Sequence, residues 1–335
     1  MRQAQLGQFG LEHLAIVETD QPEPGEGQVA VKVESASLNY RDFLICMGFY
    51  KPELELPMVP LSDGAGTVAA VGEGVTSVSV GDRVSSVFWQ SWPEGPAALS
   101  KIGASTGCEA PGMASEYALL PESAVVRLPD AISMDTAAAI PCAAVTAWTS
   151  LTTVGGTKPG DTVLCLGTGG VSLFALQIAK ALGARVIITS SSDEKLERAR
   201  SLGADHGINY KTNPEWGKEA FGLAGLGVNT VVETGGAGTL TQSIEALGWD
   251  GHIAYLGVLS GMSAELNLMG LVGKGAHLEG VMVGSRAEHV KLLEFMAEHQ
   301  IEAVVDSRAP LAELGATLGA MPGGQHFGKL LIDIS

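Results

Sequence analysis

Two rhythms of apolar and polar positions divide this chain. Through roughly the first 125 residues, short apolar runs are broken by Gly, Pro and Asp. QVAVKVES (28–35), GTVAAVG (66–72) and DRVSSVF (82–88) predict strands between turns. Residues 88–112 break that rhythm. They are rich in Trp, Pro, Gly and Ser and predict a loop too long to be a simple connection. Near residue 130 the period changes. DTVLCLG (161–167) is the unbroken apolar run of a strand buried on both faces. After it, Val171, Ala175, Ile178 and Leu182 recur at the spacing of one helical face, and Gly183 is placed to end that helix. ARVIITS (184–190), DEKLERARSLGA (193–204), VNTVVE (228–233), GTLTQSIEAL (238–247) and HIAYLGV (252–258) continue the alternation of strand and helix. Such alternation predicts an α/β fold with a doubly wound parallel sheet. The last 50 or so residues carry further helices and close on HFGKLLIDI (326–334), a strand expected to return to the first domain.

Length and composition sharpen this picture. At 335 residues, the chain can build two substantial cores, and 46% hydrophobic against 17% charged residues suits a folded protein. Its 37 acids and 20 bases leave a formal charge of -17, which repels nucleic-acid phosphates and anionic membrane surfaces. A small local basic site for a cofactor phosphate stays compatible with that charge. Cys46, Cys108, Cys142 and Cys165 are scattered without CxxC spacing, so neither a disulfide framework nor a zinc knuckle is expected. The first twenty residues lack the apolar core of a signal peptide, and no unbroken apolar run of about 18 residues occurs. A cytoplasmic location and no membrane span are therefore expected. The histidines show no HxxxH or paired spacing, so His206, His277 and the others read as surface or satisfied core residues.

The strongest local motif is Gly167-Thr168-Gly169-Gly170-Val171-Ser172, which follows a buried strand and opens an amphipathic helix. Glycines there permit a tight turn and let a pyrophosphate approach backbone N–H groups at the positive end of the helix. Ser172 stands where GxGxxG has its third glycine; its small side chain still permits close packing. NAD sites place an acid about 20 residues further on, where it binds the ribose hydroxyls. Here Ser190 ends the second strand, followed by Ser191, Ser192 and Lys195, with Tyr210 as a further hydroxyl. A carboxylate would repel a 2′-phosphate, whereas hydroxyls and an ammonium suit it. NADP is therefore expected over NAD, although Lys195 also reads as an ordinary solvated helix residue.

GAGTVAAVGEGV (64–75), VGDRV (80–84) and GTGGVSLFALQIAKALGARV (167–186) resemble the medium-chain dehydrogenase/reductase superfamily, and most closely its zinc-free quinone-oxidoreductase-like, alcohol-dehydrogenase-like branch. The motifs occur in order across nearly the whole chain. The resemblance implies a GroES-like catalytic domain over 1–135, a Rossmann cofactor domain over 136–283, a return to the first domain over 284–335, and a homodimer or homotetramer. It also implies where catalytic zinc would be held in zinc-dependent members. Those positions match Asn39 in SLNYRD, Ser62 in LSDGAG and Cys142 in IPCAAV, so one ligand of three survives. Zinc needs about three N or S donors, and no metal is expected. The loop matching the structural zinc site holds only Cys108.

Without a metal, hydride transfer to a simple ketone lacks a partner for the developing alkoxide. Transfer to the β-carbon of an enone, or to a quinone, spreads the charge into an enolate or phenolate that hydrogen-bond donors can hold. The resemblance implies Asn39 beside the nicotinamide, Thr146 at its carboxamide, Gly257, Val258 and Leu259 lining its pocket, and Tyr50 as the acid. Lys329 is expected to reach the cofactor. Tyr40, Asp42 and Asp63 read as structural, Tyr50 equally as a half-buried aromatic, and Trp89 and Trp92 as core covers more than cleft walls. The expected reaction is reduction of a quinone or α,β-unsaturated carbonyl. The competing readings are a zinc-independent alcohol dehydrogenase or carbonyl reductase and a non-catalytic NADP-binding protein. A methyltransferase, which also uses a strand and a Gly-rich turn, fits poorly because Ser190 replaces its acid.

Overall fold

The computed structural model describes residues 1–334. The chain folds as two compact units. The first comprises residues 1–145 with those from 284 onward; the second comprises residues 146–283. Residues 136–145, which the motif reading assigned to the cofactor domain, stay with the first unit. There Ala137, Ala138, Ala139 and Ile140 are fully buried, and their helical stretch packs on the first unit's sheet.

In the first unit, β1 (Arg2–Leu6) and β2 (Leu14–Glu18) form an antiparallel pair. The main sheet follows, from β3 (Gln28–Ser37), β4 (Asp63–Val71), β5 (Arg83–Ser86), β6 (Tyr117–Pro121) and β7 (Val125–Arg127). The second unit supplies β8 (Thr162–Cys165), β9 (Arg185–Ser190), β10 (His206–Asn209), β11 (Val228–Glu233), β12 (Leu247–Tyr255) and β13 (His277–Gly280). Back in the first unit, β14 (Val305–Pro310) and β15 (Lys329–Asp333) complete its main sheet, in the order β14-β15-β3-β4-β5-β7 with β6 also on β3.

This order brings distant residues together. The antiparallel β3–β4 register sets Ser37 opposite Asp63, and the β3–β15 register sets Ser37 opposite Leu331. The end of β3, the start of β4 and the start of β15 therefore converge. Helix α1 (Tyr40–Cys46) begins at once after β3. Asn39 sits before it in an extended conformation, and the Asp42 carboxylate accepts the Asn39 N–H at 2.8 Å, capping the first turn. Gly66 allows β3 and β4 to approach closely, since a Cβ there would collide with the Lys32 carbonyl.

Helix α2 (Met134–Val154) is long and apolar enough by length and composition to cross a membrane, yet 72% of its apolar window is buried inside the fold. Its Thr and Ser positions interrupt the apolar run, which is why no such segment stood out in the sequence.

The second unit is a six-stranded parallel sheet in the order β10-β9-β8-β11-β12-β13. The order reverses between β8 and β11, the switch point where doubly wound folds bind ligands. Helices α3 (Gly170–Ala181) and α4 (Asp193–Ser201) follow β8 and β9. Leu164, Ile187, Val231 and Ile253, one from each central strand, are almost completely buried and form the core. Residues 88–112 contain no strand or helix, only isolated bridges such as Trp89 with Ser105.

Candidate active site

The glycine turn lies between β8 and α3. Gly167 has φ +73°, the left-handed conformation that favours glycine, and its N–H donates to Thr189 Oγ1 at 3.1 Å. Gly169 differs. Its backbone is extended, and an added Cβ would meet no atom within 4 Å. Packing inside the unit therefore does not require glycine there. The open space lies at the start of a twelve-residue helix, where free N–H groups and the dipole favour an anion. Thr168 is buried, while Gly170 and Val171 are half-buried in the first turn. Ser172, in the third glycine place, is 1% exposed and donates to Leu166 O at 2.5 Å. Its hydroxyl thus ties α3 to the end of β8, where a glycine would only allow approach. This cradle fits a dinucleotide pyrophosphate.

Ser190, the last residue of β9, is also buried. Its Oγ accepts the Ser192 N–H at 3.3 Å and its carbonyl the Tyr210 N–H at 3.1 Å. Beside it, Ser191 and Lys195 are half-buried and Tyr210 is exposed. Asp193 shares the first turn of α4, where its carboxylate is held by Asn209 Nδ2 at 2.7 Å.

At the ends of β11 and β12, a residue that the sequence did not flag organises the loops. Glu233 is fully buried, and its Oε1 accepts from Gly235 N, Gly236 N and Thr239 Oγ1 at 2.8, 3.0 and 2.7 Å. Its Oε2 accepts from Ser243 Oγ. Ser260 then clips the two loops, accepting from Gly238 N and donating to Gly235 O. Gly257 and Val258 are half-buried and Leu259 exposed in the pinned segment. The available signal was an acid closing a buried run, VVE, before a Gly-rich turn. Thr146 is buried in the same unit, its carbonyl accepting from Ser150 Oγ at 2.7 Å.

In the first unit, a buried polar cluster forms where β3, β4 and β15 converge. Lys329, expected to reach the cofactor, bonds Asn39, the residue expected beside the nicotinamide. It is 3% exposed, and its Nζ donates to Asn39 Oδ1 at 2.7 Å and Leu38 O at 2.8 Å, with Asp63 Oδ2 at 3.7 Å. The ammonium thereby fixes which edge of the Asn39 amide is turned away: Nδ2 donates to Ser62 Oγ at 3.4 Å. Asp42 accepts from Ser62 N at 3.3 Å as well as from Asn39 N. Burial, reinforced by Asp63 and opposed by Arg41, pushes the Asp42 carboxyl up to about 6. The structural roles expected of Asp42 and Asp63 are met by these bonds.

Arg41 was also absent from the sequence reading, because an arginine in a first turn looks like a solvated charge. It is buried instead, donating to Thr106 O at 3.2 Å and Ser105 Oγ at 2.9 Å. Its guanidinium carbon lies 4.4 Å from the Phe88 ring centre and 5.1 Å from that of Tyr50. Tyr50 itself is 46% exposed, with its ring against Arg41. Trp89 and Trp92 are both buried.

These residues do not fit a zinc ion. Of Asn39, Ser62 and Cys142, only Cys142 is an N or S donor, and burial with Asp63 nearby pushes its thiol above the ordinary range. The Asn39 oxygen is engaged by an ammonium. Among the described residues, the one group of three His, Cys, Asp or Glu side chains with ligand atoms all within 4.8 Å lies on the second unit's sheet, not here.

A β-rich unit of this topology with a doubly wound nucleotide-binding unit defines a class of oxidoreductases. The family model for an alcohol dehydrogenase GroES-like domain matches residues 25–130, and that for a zinc-binding dehydrogenase matches residues 170–298. A zinc-type alcohol dehydrogenase-like protein of Schizosaccharomyces pombe is 41% identical over 315 residues, 92% of this chain and 91% of its own. An acryloyl-coenzyme A reductase of Metallosphaera sedula is 31% identical over 325 residues, 94% and 95% of the two chains. A solved NAD-dependent alcohol dehydrogenase superposes with a TM-score of 0.93 at 33% identity, covering 100% of both chains. The chain belongs to the medium-chain dehydrogenase/reductase superfamily, as a GroES-like domain joined to a Rossmann domain, and is an NAD(P)-dependent oxidoreductase.

Proposed function

We propose that this protein is an NADPH-dependent, zinc-independent reductase of activated C=C bonds, acting on α,β-unsaturated carbonyls or quinones. The observation that carries the reading is the buried ammonium of Lys329 on the Asn39 oxygen, in a cluster that lacks a zinc donor set. The bound nicotinamide would supply the hydride. The glycine turn and α3 would hold its pyrophosphate, and Ser191, Lys195 and Tyr210 would meet a 2′-phosphate with no acid at the end of β9. That choice of NADPH differs from the NAD-dependent solved relative.

On the acceptor side, hydride arrives at the β-carbon and the carbonyl oxygen gains enolate charge. Asn39 Nδ2 can donate to that oxygen because Lys329 holds the opposite edge of the amide. Tyr50, half-exposed, then delivers a proton to the α-carbon, either directly or through water. For an α,β-unsaturated carbonyl, one hydride and one proton convert C=C into CH–CH with the carbonyl retained; for a quinone, the same hydride and proton give the hydroquinone. An acryloyl-coenzyme A reductase among the relatives supports this chemistry; the alcohol dehydrogenases of the same superfamily keep carbonyl reduction as the second reading.

A panel of enones, quinones and simple aldehydes, offered with NADPH to chelator-dialysed protein, tests the proposal. Saturated ketone or hydroquinone is the expected product. Turnover confined to aldehydes, or appearing only when zinc is restored, would refute it.

A further inference from the structure

The motif reading left all histidines unpaired, but the second unit's sheet pairs two of them. The parallel β12–β13 register sets His252 opposite His277, and their rings stack with centres 4.3 Å apart and planes at 8°. Asp250 precedes His252 by two residues, and Glu279 follows His277 by two. The period of a strand turns His277 and Glu279 to one face, with His252 opposite His277; Asp250, whose backbone is left-handed at φ +57°, joins them through its contact with His277. The contacts are diagonal: His252 Nδ1 lies 3.3 Å from Glu279 Oε1, and His277 Nε2 lies 3.0 Å from Asp250 Oδ1. His252, His277 and Glu279 each offer a ligand atom, all within 4.8 Å of one another.

We propose that His252, His277 and Glu279 form a surface site for a divalent transition-metal ion of the zinc and copper type. Two imidazoles and one carboxylate are the donors such ions select, and three protein ligands leave a position for water. Tetrahedral bonds of about 2.0–2.1 Å set ligand atoms roughly 3.3 Å apart. His252 and Glu279 already have that separation. His277 needs only a side-chain rotation, which its exposure allows without repacking. Asp250 bonds and orients His277 as outer carboxylates orient metal-bound imidazoles. Because β12 and β13 each contribute, the ion clips the four-residue β13, exposed at every position, to the rest of the sheet. The site shares no residue with the proposed catalytic cluster or nucleotide cradle.

Titration of the full chain with Zn²⁺ by calorimetry, and with Cu²⁺ by electron paramagnetic resonance, tests this. One ion per chain is expected, with hyperfine structure from two imidazole nitrogens and a raised melting temperature. His277→Ala should weaken binding at least about ten-fold, and Glu279→Gln should weaken it while retaining the fold. Cys142→Ser, at the family's other metal position, should leave it unchanged. Absence of stoichiometric binding, or binding abolished by Cys142→Ser and retained in His277→Ala, would overturn the assignment.

Discussion

Replacing Lys329 with methionine removes the buried charge around which the first unit's polar cluster is arranged. The isostere keeps the stem packed but deletes the donor to Leu38 O and Asn39 Oδ1 and the partner of Asp63. At 3.7 Å, two unit charges attract by about 4 kcal/mol at an effective dielectric constant near 20. Asp63 is fully exposed to the loss, since it is completely buried and its Oδ1 has no hydrogen-bond partner among the described residues. Breaking such a pair from one side costs about 3–5 kcal/mol, because a lone buried charge remains. For a unit of this size, that is a fall of roughly 10 °C in melting temperature. Adding Asp63→Leu should restore at least half of the fall by removing the stranded charge. Melting curves of the two single variants and the double variant give the coupling directly. In parallel, Lys329→Met should lower kcat on an enone while the Kd for NADPH stays unchanged, because the Asn39 amide loses its anchor. A fall below about 2 °C, or a double variant no more stable than Lys329→Met, would refute the reasoning.

Other perturbations address separate parts of the account. Ser190→Asp places a carboxylate at the end of β9, so the NADPH/NADH preference measured by kcat/KM should move toward NADH by about ten-fold, or 1.4 kcal/mol; an unaltered ratio contradicts the 2′-phosphate reading. Tyr50→Phe should slow turnover by about a hundred-fold with the Kd for NADPH unchanged; full activity removes Tyr50 from proton delivery. Asp42, raised from the ordinary 3.8 to about 6, binds its proton more tightly folded than unfolded. Its contribution to stability is therefore greatest at low pH, lost as pH rises from about 4 to 6, and flat above that. Relative to Asp42→Asn, the natural protein should lose about 2 kcal/mol of stability between pH 4 and pH 7; a constant or opposite difference in melting temperature across that range disproves the burial argument.

Much of the second unit is legible in the sequence because its inner strands are continuous apolar runs and α3 carries its apolar face at helical spacing. β10 and β13 are not legible: HGIN and HLEG are four residues each and take their hydrogen bonds from one inner neighbour. The glycine turn was visible as a motif, including the Ser172 departure, whose hydroxyl bond to Leu166 O no spacing rule predicts. Asn39 and Tyr50 were visible through resemblance. Lys329 was legible as a cofactor candidate but not as a buried residue, since the oxygens that justify its burial lie 290 and 291 positions earlier. Arg41 and Glu233 escaped for the same reason: a charge is read as solvated until the fold supplies the donors or acceptors that enclose it. The pairing of His252 with His277 likewise depends on strand register, which one-dimensional spacing does not carry.

The central claim is that hydride reaches a carbon–carbon double bond in a site that works without zinc. Chelator-dialysed protein should be given an enone and NADPH deuterated at the transferred position, and the product examined by nuclear magnetic resonance. One deuterium on the β-carbon with the carbonyl intact is the predicted result. Deuterium on the carbonyl carbon, or no product until zinc is added, would contradict it.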